Sequence, residues 1–168
     1  MEKHVRQVVF GALAGLAATM AMTAAMRRLH PLLHGEDRYP LPPREITERA
    51  GLHSGDTPVR TVLAHFGFGA LTGALYAGSP FRRLGGVGYG LAVWAASYLG
   101  WIPAARILAP ATRHPLERNL LMIAVHVVWG AALAASLREL NRSAEEVFSR
   151  PAGRLRPARE RREMEPDR

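Results

Sequence analysis

The chain has 168 residues and contains no cysteine. Disulfide bonds, zinc sites built on cysteine and iron–sulfur clusters are therefore excluded, because each of them needs thiol ligands. Lysine is nearly absent too, since 21 of the 22 basic residues are arginine. This bias, together with abundant alanine, glycine and proline, is typical of a genome of high GC content. Individual arginines are therefore weak indicators of bidentate arginine chemistry.

Charge is absent from four long segments, although the mean hydropathy of the whole chain is close to zero, at −0.03. Residues 8–26, 61–79, 84–105 and 119–137 contain no Asp, Glu, Lys or Arg. A transmembrane helix needs about 20 predominantly apolar residues, whereas a helix of a soluble protein keeps a polar face along its length. The sequence therefore predicts an all-α, polytopic membrane protein with four transmembrane helices in one compact bundle, and a soluble bundle is the disfavoured alternative.

The first of these segments has a second interpretation, as a signal peptide. Lys3 and Arg6 precede the apolar run, and residues 23–25 resemble a cleavage site. The run is longer than the apolar core of a signal peptide, and Arg27 and Arg28 follow it directly. We therefore predict an uncleaved first helix.

The distribution of basic residues predicts the orientation in the membrane. An even number of spans places both termini on one side, and the excess of Lys and Arg there predicts that this side is the cytoplasm. Residues 1–140 form the predicted transmembrane domain, and residues 141–168 form a basic, largely disordered tail. Eight of the 22 basic residues lie in this tail, where anionic lipid is the expected partner and nucleic acid is not.

Two loops contain polar candidates for a site outside the spans. In the loop of residues 27–60, residues 44–50 are predicted to form a short helix on the headgroups, with a gating or partner-binding loop as the alternative. Pro103 is predicted to end or kink the third helix, and Pro115 to open the fourth. The candidate loop residues are Arg44, Glu45, Glu48, Arg106, Arg113 and His114.

Small residues four positions apart occur in every predicted span. Such spacing lets helix backbones approach closely inside a bilayer, where helix association depends on packing. The pattern predicts one compact bundle, with a contact between copies of the chain as a further possibility. The predicted packing glycines are Gly11, Gly15, Gly69, Gly73, Gly86, Gly90 and Gly130.

Residues 65–70 and 126–131 share the order His, two residues, an aromatic residue, Gly, Ala. This similarity suggests two repeated helical hairpins, related by an axis along the membrane normal. His65 and His126 then lie at similar depth on the small-residue faces, pointing into the bundle. An ionisable residue within a membrane span is by default a candidate functional residue. The other candidates in the spans are Tyr76, Trp94, Tyr98 and Trp129.

Three interpretations of the histidine pair remain open. In the first, each neutral ring bonds a carbonyl or hydroxyl of a neighbouring helix and serves packing. In the second, the pair relays or senses protons, because imidazole titrates near neutral pH. In the third, the pair ligates a metal or haem, although two histidines without a nearby Cys, Asp or Glu make a weak metal site.

Short segments of the chain are similar to a group of small bacterial membrane proteins. These segments are residues 11–23, the Pro-Pro-Arg-Glu at 42–45, Tyr89-Gly90 leading to Trp94 and Ser97-Tyr98, the Gly-Trp-Ile-Pro at 100–103 and the His-x-x-Trp-Gly at 126–130. Over residues 5–140 the chain resembles the YagU-like proteins and related uncharacterised four-helix families. The resemblance implies a bacterial inner-membrane location. It implies no activity, so no catalytic residue is carried over.

The chain lacks a serine-nucleophile motif, a phosphate-binding glycine loop and paired carboxylates within its spans. The first functional hypothesis is therefore a non-enzymatic membrane protein without a cofactor, structural or related to stress or pH. The second is a small oligomeric transporter or channel, which predicts that polar residues of several helices converge on one cavity. The third is a membrane redox protein that binds haem or a metal.

Overall fold

The structure is a computed structural model that describes residues 2–33, 57–78 and 80–149. Regular structure within these residues is helical throughout, so the prediction of an all-α fold is confirmed for them. The predicted headgroup helix at 44–50, with Arg44, Glu45 and Glu48, lies outside the described residues. The same holds for the tail from residue 150 onward.

Four main helices follow one another along the chain. Helix α1 comprises Glu2–Leu29 and is followed by a 3-10 turn at His30–Leu32. Helix α2 comprises Thr57–Gly78, and a 3-10 turn at Pro80–Leu84 leads to α3, which begins as Gly85–Ala95. A short 3-10 turn at Ala111–Arg113 precedes α4, Leu116–Ser149, which therefore continues into the region predicted as tail. Helices α1 and α4 are long and apolar enough to cross a membrane.

Helix α3 changes its winding near its end. It passes from Gly85–Ala95 into a π-helical stretch at Ala96–Trp101 and then into a last turn at Ile102–Ala104. Gly100 has non-helical angles, with φ −108° and ψ −105°. Pro103 explains the position of this irregularity, because a proline has no N–H and its ring clashes with the carbonyl four residues earlier. The widened turn thus lets the helix pass the proline and end at Ala104.

Glycines bring the helices together at two crossings. At the first, between α1 and α2, a Cβ added to Gly15 would overlap the carbonyl oxygen of Gly69, and one added to Gly73 would overlap that of Gly11. At the second, between α3 and α4, a Cβ on Gly86 would overlap the carbonyl oxygen of Gly130. The two halves of the chain are thus joined internally in the same way, and α1 packs against α4 between them.

Large apolar side chains project outward from all four helices. Met20 on α1 is 64% exposed, and Leu71 on α2 is 59% exposed. The inner face of α1 consists of small residues and a threonine as far as Thr19, and it continues with Met22 and Met26. Most of the inner face of α1 is therefore formed by small residues, whereas large apolar side chains project outward from both helices.

Candidate functional site

A cavity of about 230 Å³ lies between all four helices. It is located towards the ends of α1 and α3 and the beginnings of α2 and α4, so the two helical hairpins both contribute to its wall. His65 and His126, which lie on different hairpins, both line it. The remaining lining residues are Thr19, Met22, Met26, Ala64, Phe68, Gly69, Thr72, Val93, Ser97, Tyr98, Trp101, Ile102, Met122 and Trp129.

His126 is buried and oriented by its own helix. Its Nδ1–H donates to the carbonyl oxygen of Met122, one turn earlier, at 2.7 Å. In the neutral ring this bond assigns the proton to Nδ1 and leaves Nε2 as the nitrogen with a lone pair. The ring therefore offers one acceptor or ligand nitrogen in a fixed tautomer.

His65 is half-buried and contacts Phe66 edge to face, with the ring centroids 6.0 Å apart. Neither of its ring nitrogens has a protein hydrogen-bond partner among the residues that the structure describes. The packing interpretation predicts a bond from each histidine to a neighbouring helix. Within the described part of the chain neither histidine makes one, since His126 bonds α4 itself.

Polar side chains from the other helices reach the same cavity. Thr19 of α1 donates to the Gly15 carbonyl at 2.8 Å and accepts from the Trp129 indole at 3.2 Å. Thr72 of α2 donates to the Phe68 carbonyl at 2.8 Å. On α3, Ser97 accepts a bond of 3.3 Å from the indole of Trp101, within the π-helical stretch. Every helix thus supplies at least one polar group to the cavity wall.

The other predicted site residues divide into two groups. Tyr98 and Trp129 line the cavity. Tyr76 packs on Tyr89 instead, with ring centroids 4.9 Å apart. Trp94 stacks on Tyr98 at 6.5 Å, and its buried indole N–H has no partner among the described residues. The structure therefore places two of the four aromatic candidates at the cavity.

The loop between α3 and α4 does not contribute its predicted candidates to the cavity lined by the described residues. Arg106 and Arg113 are exposed. His114 is held within the loop, where Nε2–H donates to the Ala109 carbonyl at 3.0 Å. The structure thus separates these three residues from the histidine pair.

Three methionines line the cavity wall, and the sequence did not predict that they lie together. Met22 and Met26 lie on α1 and Met122 lies on α4, and all three are at most 5% exposed. A signal for the first two exists in the sequence, because continuing the stripe of Gly11, Gly15 and Ala18 along the helix leads to positions 22 and 26. Nothing in the local pattern indicates that Met122 lines the same cavity.

We expect Tyr89→Phe to lower the free energy of unfolding by about 0.6 kcal/mol, and by less than about 2 kcal/mol. The Tyr89 hydroxyl donates to the Thr72 carbonyl at 2.8 Å and so links α3 to α2 across the two hairpins. Tyr76→Phe is the matched control, since the Tyr76 hydroxyl makes no protein hydrogen bond within the described residues. Unfolding by titration with SDS in detergent micelles measures both variants, and equal stability of the two would contradict a role for the bond.

Comparison of the chain with protein-family models, with curated proteins and with solved structures finds no match. The candidate site is therefore defined by this chain's own geometry: two histidines, three methionines and polar groups of four helices around one cavity.

Proposed function

We propose that the chain crosses the membrane four times and binds a small solute in the cavity between its helices, as part of a non-enzymatic, transport-like activity. Four spans are supported by the direction in which the side chains point. Leu63, Leu71 and Leu75 of α2 are all more than half exposed, as are Met20 of α1 and Leu120 of α4. Lipid is the solvent in which such surfaces are stable, because it covers apolar side chains at no hydrophobic cost.

Helix α3 fits the same arrangement despite its irregular end. Its successive helical segments cover residues 85–104, which is about the length that a bilayer requires. Non-α-helical turns are tolerated within a membrane where protein buries them or where they line a cavity. Ser97, Tyr98 and Trp101 of the π-helical stretch do line the cavity.

For the orientation, we propose that both termini are cytoplasmic and that the membrane is a bacterial inner membrane. The basic residues support the first statement, since Arg82 and Arg83 lie in the short turn on the side of the termini. The resemblance to YagU-like proteins supports the second. Anionic lipid around the basic tail, and a second copy of the chain, remain the proposed partners.

The presence of both histidines in the wall of one largely apolar cavity between four helices is the observation that carries the proposed solute-binding function. A protein whose histidines served packing alone would have each ring paired to a neighbouring helix, whereas His65 and His126 both line open space. The cavity of about 230 Å³ is also smaller than the roughly 300–1,000 Å³ typical of sites for drug-sized ligands. An ion or a very small molecule fits it better than a haem does.

Cysteine reactivity tests whether the cavity admits a solute, and the absence of native cysteine removes any background. We expect His126→Cys to react with a small, membrane-permeant thiosulfonate in native membranes. Ala14→Cys is the control, because Ala14 on α1 is fully buried and does not line the cavity. Equal protection of both positions would contradict an accessible cavity.

A second labelling experiment tests the topology. Arg83→Cys lies in the turn between α2 and α3, and Arg113→Cys lies in the loop between α3 and α4; both positions are exposed. An impermeant maleimide added to intact cells should label Arg113→Cys and leave Arg83→Cys unlabelled until the cells are opened. Labelling of both positions from the same side would contradict a third span.

A further inference from the structure

The cavity that holds the histidine pair is also a concentration of thioether sulfur. Helices of the described chain carry four methionines, at positions 20, 22, 26 and 122. Met22, Met26 and Met122 line the cavity and are 5%, 3% and 3% exposed, whereas Met20 faces outward and is 64% exposed. Met22 and Met26 are one turn apart on α1, and Met122 approaches from α4. Residues that carry thioether sulfur therefore line the cavity from two helices that pack against each other.

The imidazoles add nitrogen donors to the same space. The Nδ1–H of His126 is engaged by the Met122 carbonyl, which leaves the Nε2 lone pair for a ligand. A histidine that binds a metal through one nitrogen almost always donates its other N–H in this way, and the bond fixes both tautomer and ring orientation. His65 lines the cavity from α2 with neither nitrogen engaged by another described residue.

We propose that this cavity binds a monovalent copper ion, Cu(I), through thioether sulfurs of Met22, Met26 and Met122 together with imidazole nitrogens of His65 and His126. This inference rests on the proposed function, because it names the solute of the same cavity. Soft thioether ligands select Cu(I), and imidazole is a good ligand for copper as well. The proposal involves binding only, with no change in the oxidation state of the ion.

Charge favours a monovalent ion over a divalent one. Among the described residues of the cavity wall there is no Asp or Glu, so the donor set that they supply is neutral. The described part of the chain also has no group of three or more His, Asp or Glu side chains suited to Zn²⁺ or another divalent ion. Each additional unit of charge is costly in a low-dielectric interior. Trp101 and Trp129 also line the wall, and the face of an aromatic ring attracts cations.

Copper binding to the purified full-length protein tests the proposal directly. The protein in detergent is titrated anaerobically with ascorbate-reduced copper, in competition with the Cu(I) chelator bathocuproine disulfonate. We expect one copper per chain, and X-ray absorption of the complex should show both sulfur and nitrogen ligands. If the chelator removes the copper, so that less than one copper per chain remains bound, the proposal is overturned.

Methionine variants assign the site. Met22→Leu and Met122→Leu each remove a sulfur while nearly conserving side-chain volume, which cores tolerate well. Each substitution should weaken copper binding by more than about 10-fold. A loss of that size is already typical when a residue that only supports a metal ligand is replaced. Met20→Leu is the matched control two residues away on the same helix, and it should bind copper like the unmodified protein. Gel filtration and circular dichroism serve as the controls that test whether each variant is folded.

The outcomes separate this inference from the proposed function. If His126→Cys reacts with the thiosulfonate but copper is not retained, the cavity admits another solute and the copper site is wrong. If neither occurs, both proposals are wrong. If Zn²⁺ binds as tightly as Cu(I), or if Met22→Leu and Met122→Leu leave copper binding unchanged, the thioether site is overturned.

Discussion

Gly73→Ala should lower the free energy of unfolding by about 1–3 kcal/mol, although it adds only one methyl group. The new Cβ would overlap the Gly11 carbonyl oxygen and lie 2.7 Å from the Gly15 Cα, so its three nearest neighbours are all backbone atoms of α1. If the neighbouring atoms belonged to a flexible side chain, that side chain could rotate away from the new methyl group. Backbone atoms can make room only if the two helices separate. Unfolding by SDS in detergent micelles measures the loss.

Gly67→Ala provides the control on the same helix. A Cβ at position 67 meets nothing within 4 Å, and replacing a helical glycine by alanine normally stabilises a helix by about 1 kcal/mol. The two substitutions are therefore expected to differ in sign. In the second hairpin, Gly86→Ala and Gly88→Ala form the equivalent pair, because position 86 faces Gly130 and position 88 meets only the Leu84 Cβ at 3.5 Å. Similar stabilities within each pair would show that the helices are less closely packed than described.

Leu71→Arg should remove most of the protein from the membrane fraction. Leu71 lies near the middle of the apolar part of α2, and it is 59% exposed. If α2 crosses the bilayer, an arginine there faces hydrocarbon and costs about 3 kcal/mol on insertion scales. On a soluble bundle the same exposed substitution would change stability by no more than about 0.5 kcal/mol. The amount of full-length protein in washed membranes measures the difference.

Val62→Arg is the matched control for this experiment. Val62 is similarly exposed, at 54%, but it lies near the beginning of α2, two residues after Arg60. A long basic side chain near a helix end extends to the headgroups and avoids most of the cost. Depletion of Leu71→Arg with retention of Val62→Arg is expected. Normal amounts of both variants would contradict a transmembrane α2.

The positions of the helices could be predicted well because charge is so strongly segregated along this sequence. All four charge-free segments fall on helical structure, except that residue 105 follows the end of α3 and residue 79 lies outside the described part. The helices extend beyond the charge-free segments, since α1 begins at Glu2 and α4 continues to Ser149. These extensions carry charged residues, so the absence of charge does not mark them as part of the helices.

The irregular end of α3 was predicted only approximately. Pro103 indicates a break, but the sequence does not state whether the helix stops or widens. The structure has a π-helical stretch at Ala96–Trp101, followed by a further turn. Which of the two occurs depends on whether neighbouring helices hold the segment after the proline, and Ile102 is in fact buried among them, at 3% exposed.

Helical periodicity placed both histidines on inward faces, and both do line the cavity. Their hydrogen bonds could not be predicted in this way. The packing interpretation has each ring bonding another helix, whereas the Nδ1–H of His126 reaches back to the carbonyl one turn earlier. The carbonyl one turn earlier is always within reach of a side chain on a helix, as it is for threonine and serine. It therefore competes with partners on other helices, which come close only once the bundle has folded.

The sequence could not predict that the methionines and the histidines line the same cavity, and the reason is different. Met22 and Met122 are separated by 100 positions, and no periodicity connects them. They line the same cavity because α1 packs against α4 and the cavity lies between these helices and the other two. A site of this kind is a property of the packing, and the sequence shows only that each of its residues lies on an inner face.

Chemical cross-linking tests whether His65 and His126 share one cavity. His65→Cys and His126→Cys combined in one chain, which has no other cysteine, are treated in native membranes with a bifunctional thiosulfonate of short span. We predict an intramolecular cross-link between them, and none when Leu71→Cys replaces His65→Cys, because Leu71 faces outward and does not line the cavity. If the two cysteines react singly but are not joined, the histidines do not share a cavity and the account is wrong.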